Sequence, residues 1–442
     1  METTSMSENQ EQPASRRVRR AQTISLALLM VSGIVNYLDR GTLSIASPAI
    51  RASLGLSLVQ MGVLLSAFSW SYALCQLPVG GLVDRIGPRR LLGAGLIVWS
   101  VAQAAGGLVG TFGAFIAARI VLGIGEAPQF PSAARVVTNW FPLRARGTPT
   151  GIFNAASPLG TALAPLCLSV LIASFGWRTA FIVTGVLGLV VAVVWLTVYR
   201  DPHALRLTDD ERRYLTAGDV PVARRRLSLA EWRQLFSHGE TWGMLLGFFG
   251  SVYLNWVYLT WLPGYLTLER HMSLVRTGFA ASVPFLCGFL GALVAGWFSD
   301  FITKRSRSPV VSRRNAVVIT MLGMVAFTIP VPLVESNVIA LACISVVIFL
   351  ANAASACSWA LATAVAPSDR VASLGAIQNF GGFLGGALAP IVTGYIAQVS
   401  SFVPALLTAA GVAFAGAIAY LALVRKPIPE QDSAEASTAL PA

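Results

Sequence analysis

Charge is what this sequence has least of. Only 12% of its 442 residues are Asp, Glu, Lys or Arg, whereas 55% are hydrophobic; an average soluble chain carries about 25% charged residues. Histidine is scarcer still: His203, His238 and His271 stand isolated between apolar runs, without metal-ligand spacing, so no metal is expected. The five cysteines (Cys75, Cys167, Cys287, Cys343, Cys357) lie inside apolar runs and form no Cys-x-x-Cys. That excludes a disulfide framework and leaves small packing residues. No ATPase motif occurs, and glycine clusters such as GGFLGG at 381–386 read as close-packing helix surfaces rather than phosphate loops. With no nucleophile–base or metal constellation either, neither an enzyme nor a bound cofactor is expected.

What the chain does have is a succession of apolar runs, at 23–50, 59–83, 91–110, 112–130, 147–174, 177–199, 241–265, 277–299, 315–334, 337–366, 371–398 and 402–424. A hydrocarbon core of about 30 Å takes about 20 apolar residues per helix. The runs are too long and too continuous for the alternating strands of a barrel, so the reading is an all-α membrane protein with 12 transmembrane helices. The basic flank Arg16, Arg17, Arg19 and Arg20 resembles the start of a signal peptide, but the run behind it far exceeds an h-region of about 7–15 residues. It is read as helix 1.

The net charge of +12 could suggest nucleic acid until the bases are placed. With the N-terminus inside, 26 of the 32 Lys and Arg fall in cytoplasmic segments and four (Arg51, Arg178, Arg270, Arg276) in outer loops. This is the positive-inside asymmetry, so both termini are expected in the cytoplasm and no nucleic-acid partner is needed.

Residues 200–240 break the apolar pattern with eight Arg and seven Asp or Glu. They read as a cytoplasmic linker between a six-helix bundle at 23–199 and a second at 241–424, with tails at 1–22 and 425–442. The halves echo each other. GGLVDR at 80–85 and GWFSD at 296–300 each put Gly-x-x-x-Asp at the end of a second helix, and GTALAP at 160–165 matches GGALAP at 385–390, with Asn154 and Asn379 each six residues before the first Gly. A parallel six-plus-six repeat places a binding site near the midplane between pseudo-symmetric halves that rock. GGLVDRIGPRR at 80–90 resembles the loop 2–3 motif of the major facilitator superfamily, with Pro88 replacing one base. The resemblance implies that fold, and a conformational latch built from Asp84, Arg85, Arg89, Arg90 and, in the echo, Asp300.

Four ionisable groups lie inside the runs: Asp39 and Arg40 on helix 1, Arg119 and Glu126 on helix 4. A charge at a helix centre costs about 2.5–3.5 kcal/mol even on the translocon scale, so such groups face a cavity or one another. Arg119 and Glu126 are seven residues apart, on one face but about 10 Å apart along the axis, and do not readily pair. Neighbours on a helix point about 100° apart, so Asp39 and Arg40 can address different partners. Arginine offers a fork suited to a carboxylate, and a buried acid can hold a proton. Bases that bind an anion and acids that carry protons follow from that division.

NYLDR at 36–40, RIVLGIGEAPQFP at 119–131, NWFP at 139–142 and GWRTAF at 176–181 resemble the anion:cation symporter family of that superfamily, which includes bacterial sugar-acid permeases. The resemblance implies proton-coupled uptake of a small organic anion across a bacterial inner membrane by a monomer in lipid. It implies Asp39 and Glu126 as proton-coupling groups, Arg40 as the carboxylate ligand, and Arg119 as the partner of helix 1. Tyr37, Tyr72, Trp359 and Asn379 become further substrate contacts. Ser157 stands where sugar-acid permeases often carry Gln, so a cavity short of amide donors, suited to smaller dicarboxylates, aromatic acids or sulfonated carboxylates, is expected. An exchanger or efflux antiporter is the alternative, and an anion sensor without transport is less favoured.

Overall fold

The computed structural model describes residues 14–217, 233–304, 308–367 and 370–429, without the side chains of Leu77, residues 295–304 and Ala372. Among the described residues there is no strand. The chain opens with α1 (Arg16–Leu54), whose first turn is capped by Ser15 Oγ accepting from Val18 N at 3.2 Å. At 39 residues it is about 58 Å long, nearly twice a hydrocarbon core, so its basic end stands outside the apolar layer. Gly55, with φ 64°, ends it in the left-handed conformation that glycine takes without cost. A capping box between Ser57 and Gln60 starts α2 (Leu58–Ile86). Gly87 and Pro88 turn it into α3 (Pro88–Gly106), followed by α4 (Phe112–Glu126) and, across Ala127–Pro128, α5 (Gln129–Trp140).

Next comes α6 (Gly147–Val198), 52 residues broken at Gly176, where φ 82° and ψ 161° leave helical space. The break falls between the runs 147–174 and 177–199, which are thus two helices in one element. A short α7 (Asp209–Thr216) carries part of the expected linker; residues 218–232 of that linker lie outside the described residues. The rest is α8 (Gly239–Leu268), α9 (Leu274–Lys304), α10 (Pro309–Thr328), α11 (Asn337–Val365), α12 (Val371–Val399) and α13 (Phe402–Leu423).

Among the described residues nine helical stretches are long and apolar enough to cross a membrane. Twelve runs become nine because α6 holds two of them in one stretch, the run at 91–110 falls on α3, whose 19 residues include Arg89, Arg90 and Gln103, and the run at 112–130 is divided between α4, of 15 residues, and α5. The chain is a multi-pass, all-helical membrane protein.

Small residues let α1 lie directly on the first part of α6: a Cβ on Gly33 or Gly41 would stand 2.6 or 2.7 Å from the Cβ of Ala156 or Ala164. Three contacts join the residues before and after 217. α2 packs on α12, α6 on α9 and α1 on α8. Ser66 Oγ donates to the carbonyl of Ala387, Val59 N to Gln398 Oε1 at 3.0 Å, and Ser44 Oγ to the carbonyl of Thr260 at 2.8 Å. All lie toward the N-terminal end of α2, where the molecule is closed. Midway along α2, a groove of about 290 Å³ runs between it and α12 and includes Trp70, Gln76 and Phe380.

Candidate functional site

The site begins with α4. Its GIGE stretch places Gly123 against α2, where a Cβ would stand 2.7 Å from the Phe68 carbonyl, and Gly125 against α3, 2.7 Å from Trp99 N. Only glycine permits both approaches. Clamped on two sides, α4 turns Arg119 and Glu126 inward, at 4% and 0% exposure.

Glu126 meets helix 1 there. Arg40 Nε donates to Glu126 Oε2 at 2.8 Å, and the Arg40 guanidinium is caged by the rings of Tyr37, Phe68 and Tyr72 with centroids 4.7–4.8 Å away. Aromatic faces stabilise a cation where water is scarce. Arg119 shares the Phe68 ring at 5.6 Å. Asp39 points away from this cage, as the angle between helical neighbours requires. It is fully buried, with Glu126, Thr184, Arg119 and Trp99 around it. The two acids and two bases that stood out in the sequence therefore form one cluster.

Two adjoining cavities, of about 40 and 150 Å³, open beside it and share Tyr37, Arg40, Thr161, Trp256, Leu259 and Phe285. Arg119 lines one. Ser157 lines the other, together with Asn255 and Asn352. These two amides correct the expectation of a cavity short of amide donors, since α8 and α11 supply what Ser157 does not.

Tyr37, Tyr72, Arg40, Arg119 and Ser157 thus gather at one place, whereas Asn379 and Trp359 do not. Asn379 lines the cleft between α2 and α12, and Trp359 is 44% exposed, edge-on to Phe248. Phe68, Trp256, Phe285, Asn255 and Asn352 escaped the sequence reading. Phe68 and Phe285 sit in apolar helices where nothing distinguishes a lining ring from a packing one.

At the far end of α2, Asp84 Oδ1 lies 3.5 Å from Arg135 Nη1 on α5. Arg89 Nη2 donates to the Leu196 carbonyl at 2.5 Å, and Trp195 Nε1 to the Arg89 carbonyl at 3.0 Å. Arg85 and Arg90 are exposed. These contacts all fall within the first half, and the Asp300 side chain lies outside those described.

Comparison with known proteins places this geometry. Residues 29–390 match the family model of the Major Facilitator Superfamily. A probable L-galactonate transporter of Escherichia coli (strain K12) is 43% identical over 95% of this chain and 93% of its own length. The D-galactonate transporter of Escherichia coli O6:H1 (strain CFT073) is 32% identical over 94% and 97%. Among solved structures, a bacterial homolog of the human lysosomal transporter Spinster, in an inward-facing and occupied conformation, matches with TM-score 0.75 at 17% identity, covering 93% of this chain and 97% of that one. At that identity the likeness is one of fold. A charged, aromatic-caged cavity between packed helices is the expected site of a carrier, and the chain belongs to the major facilitator superfamily.

Proposed function

We propose that this carrier imports a sugar acid of the hexonate class, together with protons, across a bacterial inner membrane. The observation that carries the reading is the Arg40–Glu126 ion pair at 2.8 Å on the wall of the cavity. Arg40 keeps one buried Nη2 without a hydrogen-bond partner while Glu126 holds its Nε. A substrate carboxylate takes the guanidinium fork fully when Glu126 gives up its share, and protonation of Glu126 does that. Proton and anion then bind together rather than in competition. Across the cavity, Asn255, Asn352, Thr161 and Ser157 offer amides and hydroxyls to a polyol chain. The galactonate transporters named above support this substrate class.

In this reading twelve spans form two six-helix halves, 23–199 and 241–424, with both termini in the cytoplasm, and the halves rock about a monomer's central site. Each net positive charge moved inward gains about 2.3 kcal/mol per 100 mV, so carrying more protons than substrate charges drives accumulation. The test is uptake of labelled L- and D-galactonate into proteoliposomes. An inward proton gradient should stimulate uptake, and Glu126→Gln should abolish accumulation while sparing galactonate exchange. Accumulation unchanged in that variant would refute the coupling role of Glu126, and exchange with no response to the gradient in the wild type would point to an exchanger.

A further inference from the structure

Asp39 raises a question that the cavity does not answer: by what route does a proton reach or leave it? The side chain is fully buried and is not among the residues lining either cavity; Glu126 lies between it and Arg40. Behind it, however, α1 carries a polar stripe into the first half. Gln22, Ser25, Ser32, Asn36 and Asp39 recur at three- and four-residue or doubled spacing, all buried, over about 25 Å of helix.

The stripe meets polar groups from α5. Gln129 Nε2 donates to Ser32 Oγ at 2.9 Å, and Gln22 Nε2 to the Trp140 carbonyl at 2.7 Å. Asn36 stands beside Glu126. Trp140 adjoins the Tyr199 hydroxyl, which donates to Asp201 Oδ1 at 3.0 Å at the end of α6. Along the row, Gln129 Oε1 and Ser132 Oγ are buried without a hydrogen-bond partner. Two unmet polar atoms on facing turns of one buried helix are uncommon, because each costs about 1–3 kcal/mol unless water satisfies it. Apolar side chains narrow the row at Leu29 and Val136.

The row has a direction. Past Asp39 on the other side, Thr184 accepts from Gln103 at 3.0 Å and then the core closes in the stacked rings of Phe115 and Trp177 with Phe181 edge-on to both. Toward α5 it ends at Asp201, which is only partly buried and is flanked by His203, Arg89 and Arg135.

We infer that the first half contains its own hydrated proton path, from Asp39 past Asn36, Gln129 and Ser132 to Tyr199 and Asp201, separate from the cavity that takes the anion. The inference rests on the proton coupling proposed above. The proton leaves Asp39 as the carboxylate forms, passes along water and hydroxyl groups, and is received by Asp201 before release to bulk water. Burial pushes the Asp201 carboxyl above the usual carboxylate range, which suits a group that holds a proton in transit. Tyr199 and Asp201 are positioning and relay residues that touch no substrate.

Tyr199→Phe and Asp201→Asn, with Gln129→Leu deeper in the row, test the path in proteoliposomes loaded with a pH-sensitive dye and supplied with galactonate. Net proton-coupled uptake should fall at least about tenfold, as loss of a positioned proton-transfer group does. Galactonate exchange, which needs no proton release, should stay near wild type, and imidazole added as a small proton carrier should restore part of the net rate. Wild-type rates of net uptake in all three variants would overturn the path while leaving coupling intact. Loss of exchange in parallel with uptake, with no rescue by imidazole, would make these residues structural and overturn it too. A wild-type protein that moves galactonate without protons would overturn the coupling and the path together.

Discussion

At the scale of single residues, the functional contrast is between Arg40 and Asp39, adjacent in sequence and opposed in space. Arg40 faces the cavity inside an aromatic cage, while Asp39 faces the core of the first half. The cage selects a flat, weakly hydrated cation. Arg40→Lys keeps the charge but loses the second donor needed to serve Glu126 and a carboxylate at once. The KM for galactonate uptake should rise about tenfold, equivalent to about 1.4 kcal/mol of binding; an unchanged KM would show that charge alone holds the anion. Such residues were legible in the sequence because a charge in lipid is costly and therefore conspicuous. Phe68 was not, although it bridges Arg40 and Arg119, because one more phenylalanine in an apolar helix breaks no rule.

At the scale of elements, the close approaches of helices decide which end of the carrier is shut. Gly62 of α2 faces the backbone of α12, where a Cβ would stand 3.1 Å from the Pro390 carbonyl carbon and 3.2 Å from Ile391 Cα. Neither neighbour is a flexible side chain that could yield. Gly62→Val should therefore disfavour the closed end seen here. In a background stripped of its native cysteines, Ser66→Cys should react several times faster with a membrane-impermeant maleimide when Gly62→Val is also present; equal rates would show that the two helices tolerate the bulk. The same elements show what sequence reading reaches. The break at Gly176 followed from the gap between the apolar runs 147–174 and 177–199, whereas α5, polar over much of its length, was not read as a helix. Which face of α11 or α12 meets the cavity did not follow either, since these helices are apolar nearly all round and carry no stripe to orient them. Asn379 and Trp359 were accordingly assigned by resemblance and lie elsewhere, whereas Asn255 and Asn352 supply the amides.

At the scale of the whole molecule, the chain ties its start to the segment that follows α6. Glu211 is the hub. Its Oε2 accepts from Thr208 N at 3.0 Å in the capping box of α7, and its Oε1 accepts from Ser15 Oγ at 2.6 Å, while Arg17 Nη1 reaches the Arg206 carbonyl at 2.9 Å. The start of α1 is thereby held to α7 and the segment just before it. The hydrogen bond from Ser15 holds the Glu211 carboxyl below its ordinary range. A depressed carboxyl contributes its stabilisation above the ordinary glutamate value of about 4.3 and loses it as pH falls through the lower folded value. Asp201 has the opposite sign, being raised, so a global melting curve would mix the two effects. A local measurement separates them. Spin labels at Thr23 and Arg213 should report a narrow distance distribution at neutral pH that broadens as pH drops below about 4. Glu211→Gln, which has no charge to lose, should give a distribution independent of pH over the same range. A wild-type distribution that stays narrow down to about pH 3 would show that the contact between tail and α7 does not depend on the carboxylate.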